Sequence, residues 1–531
     1  MGKLLGYVHF DTGSGRSHLS ELLAMRERAD AIFRNKYVQM HSGENGAAFL
    51  GRIVEGPFFV PEEVGRDSAF AQTAILRGEE FKTLPNYYTL ARIEILGEMR
   101  DSQVFGTNTR PHPKSKVEDL DPPEVQRIIG ISGDIRVGSL TGYPEVEVRI
   151  DSNLKRVIPR NIGIFGTVGA GKTNTAQVLI EEASQAGYAV VVFDVEGEYV
   201  EMDEPSTEKH LFERLESSGY EPEGLKKLQV YHPHGAESSR RDSRQFSVPF
   251  DALPPYLISE LAGFTEPQEG AFLKAVDELN EEARKRPKGP RGSGKSRSPA
   301  IAFLEGEDTE AGEGYTVEDI LRKIPDLERV PDGTKWPLER KLKSLQRTEI
   351  FEKGKHLFEA EELLKPSFVT IVDVSGVSHD GAKNISIAYA LRQIFNEKLQ
   401  NPKAPKTLVV IEEAHTFVSR EARDKMTATM DMLKLIARRG RKRWLALAFV
   451  SQQPAHLPDE IFELCNTRFI HCIKSDYNLN PVKKTSGDVI SEMWDLVPGF
   501  GPGQALVTSP QFGHTIMVDV RPSKTKRRLV D

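Results

Sequence analysis

The 531 residues include only two cysteines, Cys465 and Cys472, which form neither a disulfide framework nor a zinc-ligand spacing. Long apolar runs are also missing: none approaches the ~18 to 20 residues that span a bilayer. The opening Met1-Gly2-Lys3-Leu4-Leu5-Gly6-Tyr7 has no secretory apolar core. These absences predict a cytoplasmic location and no membrane contact. A surplus of positive charge is absent too, since 71 Lys and Arg face 78 Asp and Glu, a formal net charge of −7. That argues against a protein coated in nucleic acid and confines any DNA contact to a local surface, such as the inner wall of a ring. With 38% apolar residues, the chain has material for several cores, roughly three or four domains by length.

What is present centres on Gly166-Thr167-Val168-Gly169-Ala170-Gly171-Lys172-Thr173. In the pattern G-x-x-x-x-G-K-[ST], successive backbone N–H groups curl around a phosphate, the lysine neutralises charge and the hydroxyl ligates Mg²⁺. Val157-Ile158 and Ile162-Gly163-Ile164-Phe165 read as the strand feeding the loop. Thr173 to Ala186 reads as the helix leaving it, closed by Gly187. Gly166, Val168, Gly169, Ala170, Gly171, Lys172, Thr173 and Asn174 are therefore the expected nucleotide-binding residues, with ATP and Mg²⁺ as ligands. Gly289-Pro290-Arg291-Gly292-Ser293-Gly294-Lys295-Ser296 satisfies the same expression, but no strand enters it and no apolar-periodic helix leaves it. It reads as a flexible basic loop.

Residues 1–142 carry short apolar runs punctuated by Gly and Pro, among them Tyr37-Val38-Gln39-Met40 and Phe49 to Val54, which predict a small β-barrel. An αβ alternation follows over 143–202, where Tyr188 to Asp194 is a continuous apolar strand of the kind buried in parallel sheets. Charged helical patterns dominate 203–365, which reads as a helical insertion; within it, the basic run Arg284 to Arg297 reads as a solvated linker or, less commonly, a DNA contact. Buried strands return over 366–505 at Phe368 to Asp373, Thr407 to Ile411 and Leu445 to Val450, and 506–531 forms a tail. The expected fold is α/β: a doubly wound parallel sheet split in sequence, with ligands at the carboxyl ends of its strands.

A P-loop enzyme needs a carboxylate for the Mg²⁺ shell and usually another to polarise water. Glu412 and Glu413 end the run Leu408-Val409-Val410-Ile411. Because neighbouring strand residues point to opposite faces, Glu412 is assigned to the metal and Glu413 to the water. Tandem acids also argue against a nucleotide kinase, which must keep water out. Arg438-Arg439-Gly440-Arg441-Lys442-Arg443 holds more cations than a helix C-terminus requires, so an arginine acting on a neighbouring subunit's γ-phosphate is expected there. Gln452, at the tip of the next strand, reads as a γ-phosphate sensor or as a turn residue.

Taken in order, Gly166–Thr173, Asp194-Val195-Glu196-Gly197-Glu198-Tyr199, Val372-Asp373-Val374-Ser375-Gly376, Val409 to His415, Ala437 to Lys442 and Val450-Ser451-Gln452-Gln453-Pro454 resemble the HerA ATPases of the FtsK–HerA superfamily. The resemblance implies a RecA-like P-loop ATPase core with an N-terminal barrel and a helical insertion. It also implies a homohexamer that moves double-stranded DNA through its pore, working with a NurA-like nuclease in end resection. A bacterial variant of the same theme is a phage-defence complex with a nuclease or sirtuin-like effector, in which the ring is a nucleotide-gated scaffold. Carried over, Lys172 and Thr173 bind phosphate and Mg²⁺, and Glu413 is the catalytic base. Arg438 or Arg441 is the trans finger, Arg160 a second interface arginine and Gln452 the sensor. The chain has Glu at 412 where Asp is commoner. Lys383 and Arg392 are the expected pore-loop cations, and the tail from Arg521 to Arg528 reads as a brace over a neighbour or a solvated end. A secretion-type protein translocase would share the motor but usually brings membrane helices.

Overall fold

The computed structural model describes residues 2–10, 18–43, 46–61, 87–100, 103–284, 315–351, 359–418, 427–487 and 489–529. Seven strands come first: β1 (Leu4–Val8), β2 (Leu19–Ala24), β3 (Tyr37–His41), β4 (Ala48–Pro61), β5 (Tyr87–Arg100), β6 (Gln103–Phe105) and β7 (Lys116–Asp119). They pair antiparallel in the order β2-β1-β7-β3-β4-β5-β6, and pairing of β2 with β5 closes all but β6 into a barrel. Alternate residues fill it, with Leu22, Val38, Met40, Ile53, Ile93 and Val117 all inside. Closure removes the free edges that short strands would otherwise expose.

The rest of the chain builds a 12-stranded sheet. Its elements are α1 (Pro122–Ile129), β8 (Ile135–Leu140), β9 (Tyr143–Ile150), β10 (Ile162–Phe165), α2 (Lys172–Gln185), β11 (Ala189–Asp194) and α3 (Phe212–Ser217). Then come β12 (Leu228–Pro233), β13 (Arg244–Phe246), α4 (Pro255–Leu261), α5 (Glu266–Arg284), α6 (Val317–Lys323), α7 (Asp332–Gln346), β14 (Val369–Asp373) and α8 (Asp380–Gln400). The chain continues through β15 (Thr407–Ile411), α9 (Thr427–Gly440), β16 (Leu445–Ser451), β17 (Thr467–Ile470), β18 (Gln504–Thr508) and β19 (Ile516–Val520). The order is β13-β12-β14-β11-β15-β16-β10-β17-β18-β19-β8-β9. From β13 to β17 every pairing is parallel, and from β17 to β9 every pairing is antiparallel.

Both faces of the parallel part are covered, which is why its strands read as unbroken apolar runs. In β11, Ala189, Val191 and Phe193 enter one core, shared with α4 to α7, while Val190 and Val192 enter the other, on the barrel side. The barrel is pinned to the large sheet by a buried arginine. Arg52 of β4 donates to Glu94 at 2.5 Å and to the Thr515 carbonyl at 2.5 Å, while the Tyr37 hydroxyl meets His514 Nε2 at 2.9 Å.

Several boundaries differ from the sequence reading. β8 lies within 1–142 but pairs with β19 in the large sheet, because a short alternating strand carries no mark of which sheet it joins. The segment 203–365 is not wholly helical, since β12 runs parallel to β14 in the sheet. Val157-Ile158 do not extend β10; Ile158–Arg160 form a 3-10 turn, and Asn161, at φ 63°, breaks the chain direction before the strand starts. Within the tail, β18 and β19 are sheet strands and Arg521 is buried against this chain's own α2, while Leu529 is exposed. The second P-loop pattern at 289–296 and the basic run after Arg284 lie outside the described residues.

Candidate nucleotide-binding site

β10 ends in Phe165, and the loop Gly166–Gly171 turns the chain from strand into α2 at the carboxyl edge of the sheet. Glycine is required at two places. At Gly171, φ is 105° and a Cβ would lie 2.8 Å from the Gly503 nitrogen; at Gly166, a Cβ would lie 2.7 Å from the Cβ of His471. Among the described residues, the amides of Gly169, Gly171, Lys172 and Thr173 bond no protein acceptor, so the loop and the first turn of α2 present donors outward. Lys172 is nearly buried, and its Nζ donates to the Thr167 carbonyl at 2.9 Å. Burial lowers its pKa, against the opposing pull of Glu413 and Glu412.

These groups border a cavity of about 430 Å³, which also takes in Glu196, Glu198, Arg214, Glu412, Glu413 and Gln452. The sheet order explains the convergence: β11, β15, β16 and β10 are consecutive neighbours, so the residues that follow them meet at one edge. Glu412 is buried, its Oε1 accepts from the Tyr199 hydroxyl at 3.0 Å, and its Oε2 has no partner. Burial, with Asp194 and Glu198 nearby, raises its pKa well above the carboxylate range. A buried carboxylate with one unpaired oxygen beside a P-loop threonine fits a hard divalent cation. Asp194 does not fit that role, because its two oxygens accept from the amides of Gly197, Glu198 and Tyr199 at 2.7, 3.1 and 2.8 Å. It instead shapes the turn that presents Glu196 and Glu198; burial pushes its pKa up to about 7.

Glu413 corrects the expectation that the tandem acids face opposite ways. Its φ of 42° and ψ of 48° are left-handed, which interrupts strand alternation and brings both carboxylates into one cavity. Thr416 holds the strained residue by donating to its carbonyl from both N and Oγ1, at 2.8 and 2.9 Å. Its Oε2 lies 3.0 Å from His415 Nδ1, which is 3.4 Å from Ser451 Oγ; that oxygen accepts from the Gln453 amide at 3.1 Å. The chain of contacts links the acid to the turn carrying Gln452.

Other expected residues separate. Val168, Gly169, Gly171, Lys172, Thr173 and Asn174 line the cavity; Gly166 and Ala170 lie behind it as framework. The Asn174 side chain is committed to the tail, bonding the Arg521 carbonyl and the Ser523 amide at 2.8 Å each. Arg160, Arg438 and Arg441 are exposed and border a different cavity of about 300 Å³ with Lys434 and Glu460. They precede β10 and β16, whereas the P-loop and Gln452 follow them. Seven residues of β16 at ~3.3 Å each set the two edges roughly 20 Å apart, so these arginines do not serve their own chain's P-loop. Arg392 lies beside Tyr256 and Tyr389 rather than in an open loop, and Lys383 is half-buried in the first turn of α8.

Sequence reasoning missed His471. The ring is fully buried under the P-loop, taking a hydrogen bond from Thr175 at Nε2 (2.9 Å) and donating from Nδ1 to the Gln504 carbonyl (2.9 Å), which assigns the neutral Nδ1–H tautomer. Burial lowers its pKa from 6.5 to about 4. Between those values the unfolded chain takes up a proton that the folded chain refuses, so stability falls as pH drops through the window, by about 3 kcal/mol. Denaturant melts from pH 6.5 to 4 should show His471→Gln losing less stability than wild type by that amount.

Residues 135–394 match the family model described as helicase HerA, central domain. The DNA double-strand break repair helicase HerA of Pyrococcus furiosus is 24% identical over 460 residues, 80% of this chain and 75% of its own length. That of Sulfolobus acidocaldarius is 23% identical over 527 residues, 95% of this chain and 90% of its own. Among solved structures, VirB4 of Thermoanaerobacter pseudethanolicus superposes with a TM-score of 0.50 at 17% identity, covering 74% of this chain and 97% of that one. Among the described residues, no helix is long and apolar enough to cross a membrane.

Proposed function

Since the chain is a P-loop ATPase of the FtsK–HerA superfamily, we propose that it is a HerA-like DNA helicase. In this reading it hydrolyses ATP at the interfaces of a homohexameric ring, moves double-stranded DNA through the pore and serves a NurA-like nuclease in end resection. One observation carries the ring: the P-loop and acids stand at one edge of the sheet, the exposed Arg160, Arg438 and Arg441 at the other. Two half-sites at opposite edges complete each other only between copies related head to tail, the kind of contact that forms a ring when the rotation between copies closes. Val168 at the loop tip is 81% exposed, an apolar side chain offered to the copy that brings the arginines.

In this reading the P-loop amides and Lys172 hold the phosphates, while Thr173 and Glu412 hold Mg²⁺. Bound there, Mg²⁺ would supply charge neutralisation for the transferred phosphoryl group. Glu413 accepts the proton of the attacking water, Gln452 reports the γ-phosphate through the Glu413–His415–Ser451 contacts, and the neighbour's arginine stabilises the transition state. Lys383 and Arg392, both on α8, are the pore cations of this reading. ATPase rates with and without linear duplex DNA test the motor. Stimulation of severalfold or more is expected, fading with added salt because phosphate contacts release counterions. Turnover indifferent to DNA overturns it in favour of a nucleotide-gated scaffold.

A further inference from the structure

The described chain ends in a strap, residues 521–529, and α2 is built to hold it. Asn174, Gln177 and Glu181 form one stripe of that helix, and each meets the strap. Asn174 bonds Arg521 and Ser523. Gln177 Nε2 bonds Thr525 Oγ1 at 3.4 Å and the Lys526 carbonyl at 3.3 Å. Glu181, fully buried, accepts from the amides of Lys524 and Thr525 at 2.9 Å each and pairs with Arg521 at 2.8 Å. On its other side the strap bonds the segment after Asp194, with Arg528 N donating to the Glu198 carbonyl at 3.0 Å and Lys526 N to that of Glu204 at 2.9 Å. A buried Glu181 carboxylate without these partners would cost several kcal/mol. The register of the strap is therefore fixed.

That register puts Arg527 in the wall of the nucleotide cavity that Lys172, Glu412 and Glu413 also line. Its guanidinium pairs with the carboxylate of Glu198, and its buried Nε has no partner. Glu198 is followed by Tyr199, whose hydroxyl donates to Glu412 at 3.0 Å, so the Arg527–Glu198 pair stands toward the acids of the cavity. Nothing in the roles assigned above uses this arginine.

We infer that Arg527 is a ligand of the terminal phosphate of ATP bound in its own subunit, exchanging the Glu198 carboxylate for phosphate oxygens. The inference rests on the ATP-site reading. A guanidinium fork fits carboxylate and phosphate alike, so Glu198 keeps the donor oriented until a more highly charged acceptor arrives, and the free Nε–H supplies a further donor. The terminal phosphate is specified because the acids mark the end of the cavity where water attacks. Through Arg527 the strap also senses which nucleotide is bound.

Calorimetric titration of MgATP and MgADP into wild type, Arg527→Ala and Arg527→Lys tests this. Arg527→Ala should weaken ATP about tenfold or more and ADP less than about threefold. Arg527→Lys should fall between, and the melting temperature without nucleotide should not change, since the side chain is half-exposed. Equal ATP affinity in wild type and Arg527→Ala overturns the inference, as does an equal loss for both nucleotides with a lowered melting temperature, which marks a structural role. If wild type binds neither nucleotide, the ATP-site reading fails with it; if wild type binds both and Arg527→Ala is unaltered, the inference alone fails.

Discussion

Glu413→Gln leaves MgATP bound and lowers its turnover by a factor on the order of 10² to 10⁴, the usual contribution of a positioned general base. The substitution is nearly isosteric and keeps the hydrogen-bonding capacity of the carboxamide oxygen, so the turn held by Thr416 should persist. What it removes is the negative charge 3.0 Å from His415 and the ability to take a proton from water. Glu412→Gln behaves differently: it strips the buried, unpaired oxygen that fits the cation, so the loss should fall on Mg²⁺-dependent affinity as well as on rate. Single-turnover hydrolysis and nucleotide titration on the same preparations separate the two. If Glu413→Gln turns over at wild-type rate with DNA present, the base is misassigned.

The second large effect concerns two inactive proteins mixed together. Arg438→Ala should lower kcat by a factor on the order of 10³, as removal of an arginine finger does. The side chain is exposed and precedes β16, so its loss should not disturb its own P-loop. Glu413→Gln carries a sound arginine edge and a dead P-loop edge; Arg438→Ala carries the reverse. In a randomly mixed 1:1 ring, about a quarter of the interfaces join a sound P-loop edge to a sound arginine edge, so hydrolysis should reappear on mixing. Steady-state ATPase assays on refolded or subunit-exchanged mixtures read this directly. Mixtures as inactive as the separate proteins would place Arg438 outside the active interface. The same exchange with Arg160→Ala or Arg441→Ala ranks the three arginines.

Much of the ATPase core was legible because its signals are local. The loop 166–173 lies between an apolar strand and a helix, and the tandem acids close an apolar run; burial on both faces makes β11, β14, β15 and β16 continuous in sequence. Other features were illegible for equally specific reasons. β8 looks like any barrel strand until its partner β19, far along the chain, is known. His471 and Arg527 meet the site by tertiary contact alone, with no motif spacing to announce them. The orientation of Glu413 depends on a left-handed residue that no acidic side chain predicts.

The sequence by itself determined the fuel site: glycines where φ must be positive, a lysine and a threonine at the start of a helix, and acids at a strand end are chemical requirements that neighbouring residues meet locally. Only the tertiary structure decided which of those pieces share one edge of the sheet and what else enters the cavity. The sheet order brings the ends of β10, β11, β15 and β16 together while leaving Arg160, Arg438 and Arg441 at the opposite edge, and the buried Arg521–Glu181 pair threads the tail back to deliver Arg527. Parallel pairing fixes which strand ends meet but depends on contacts hundreds of residues apart, so no local pattern encodes it.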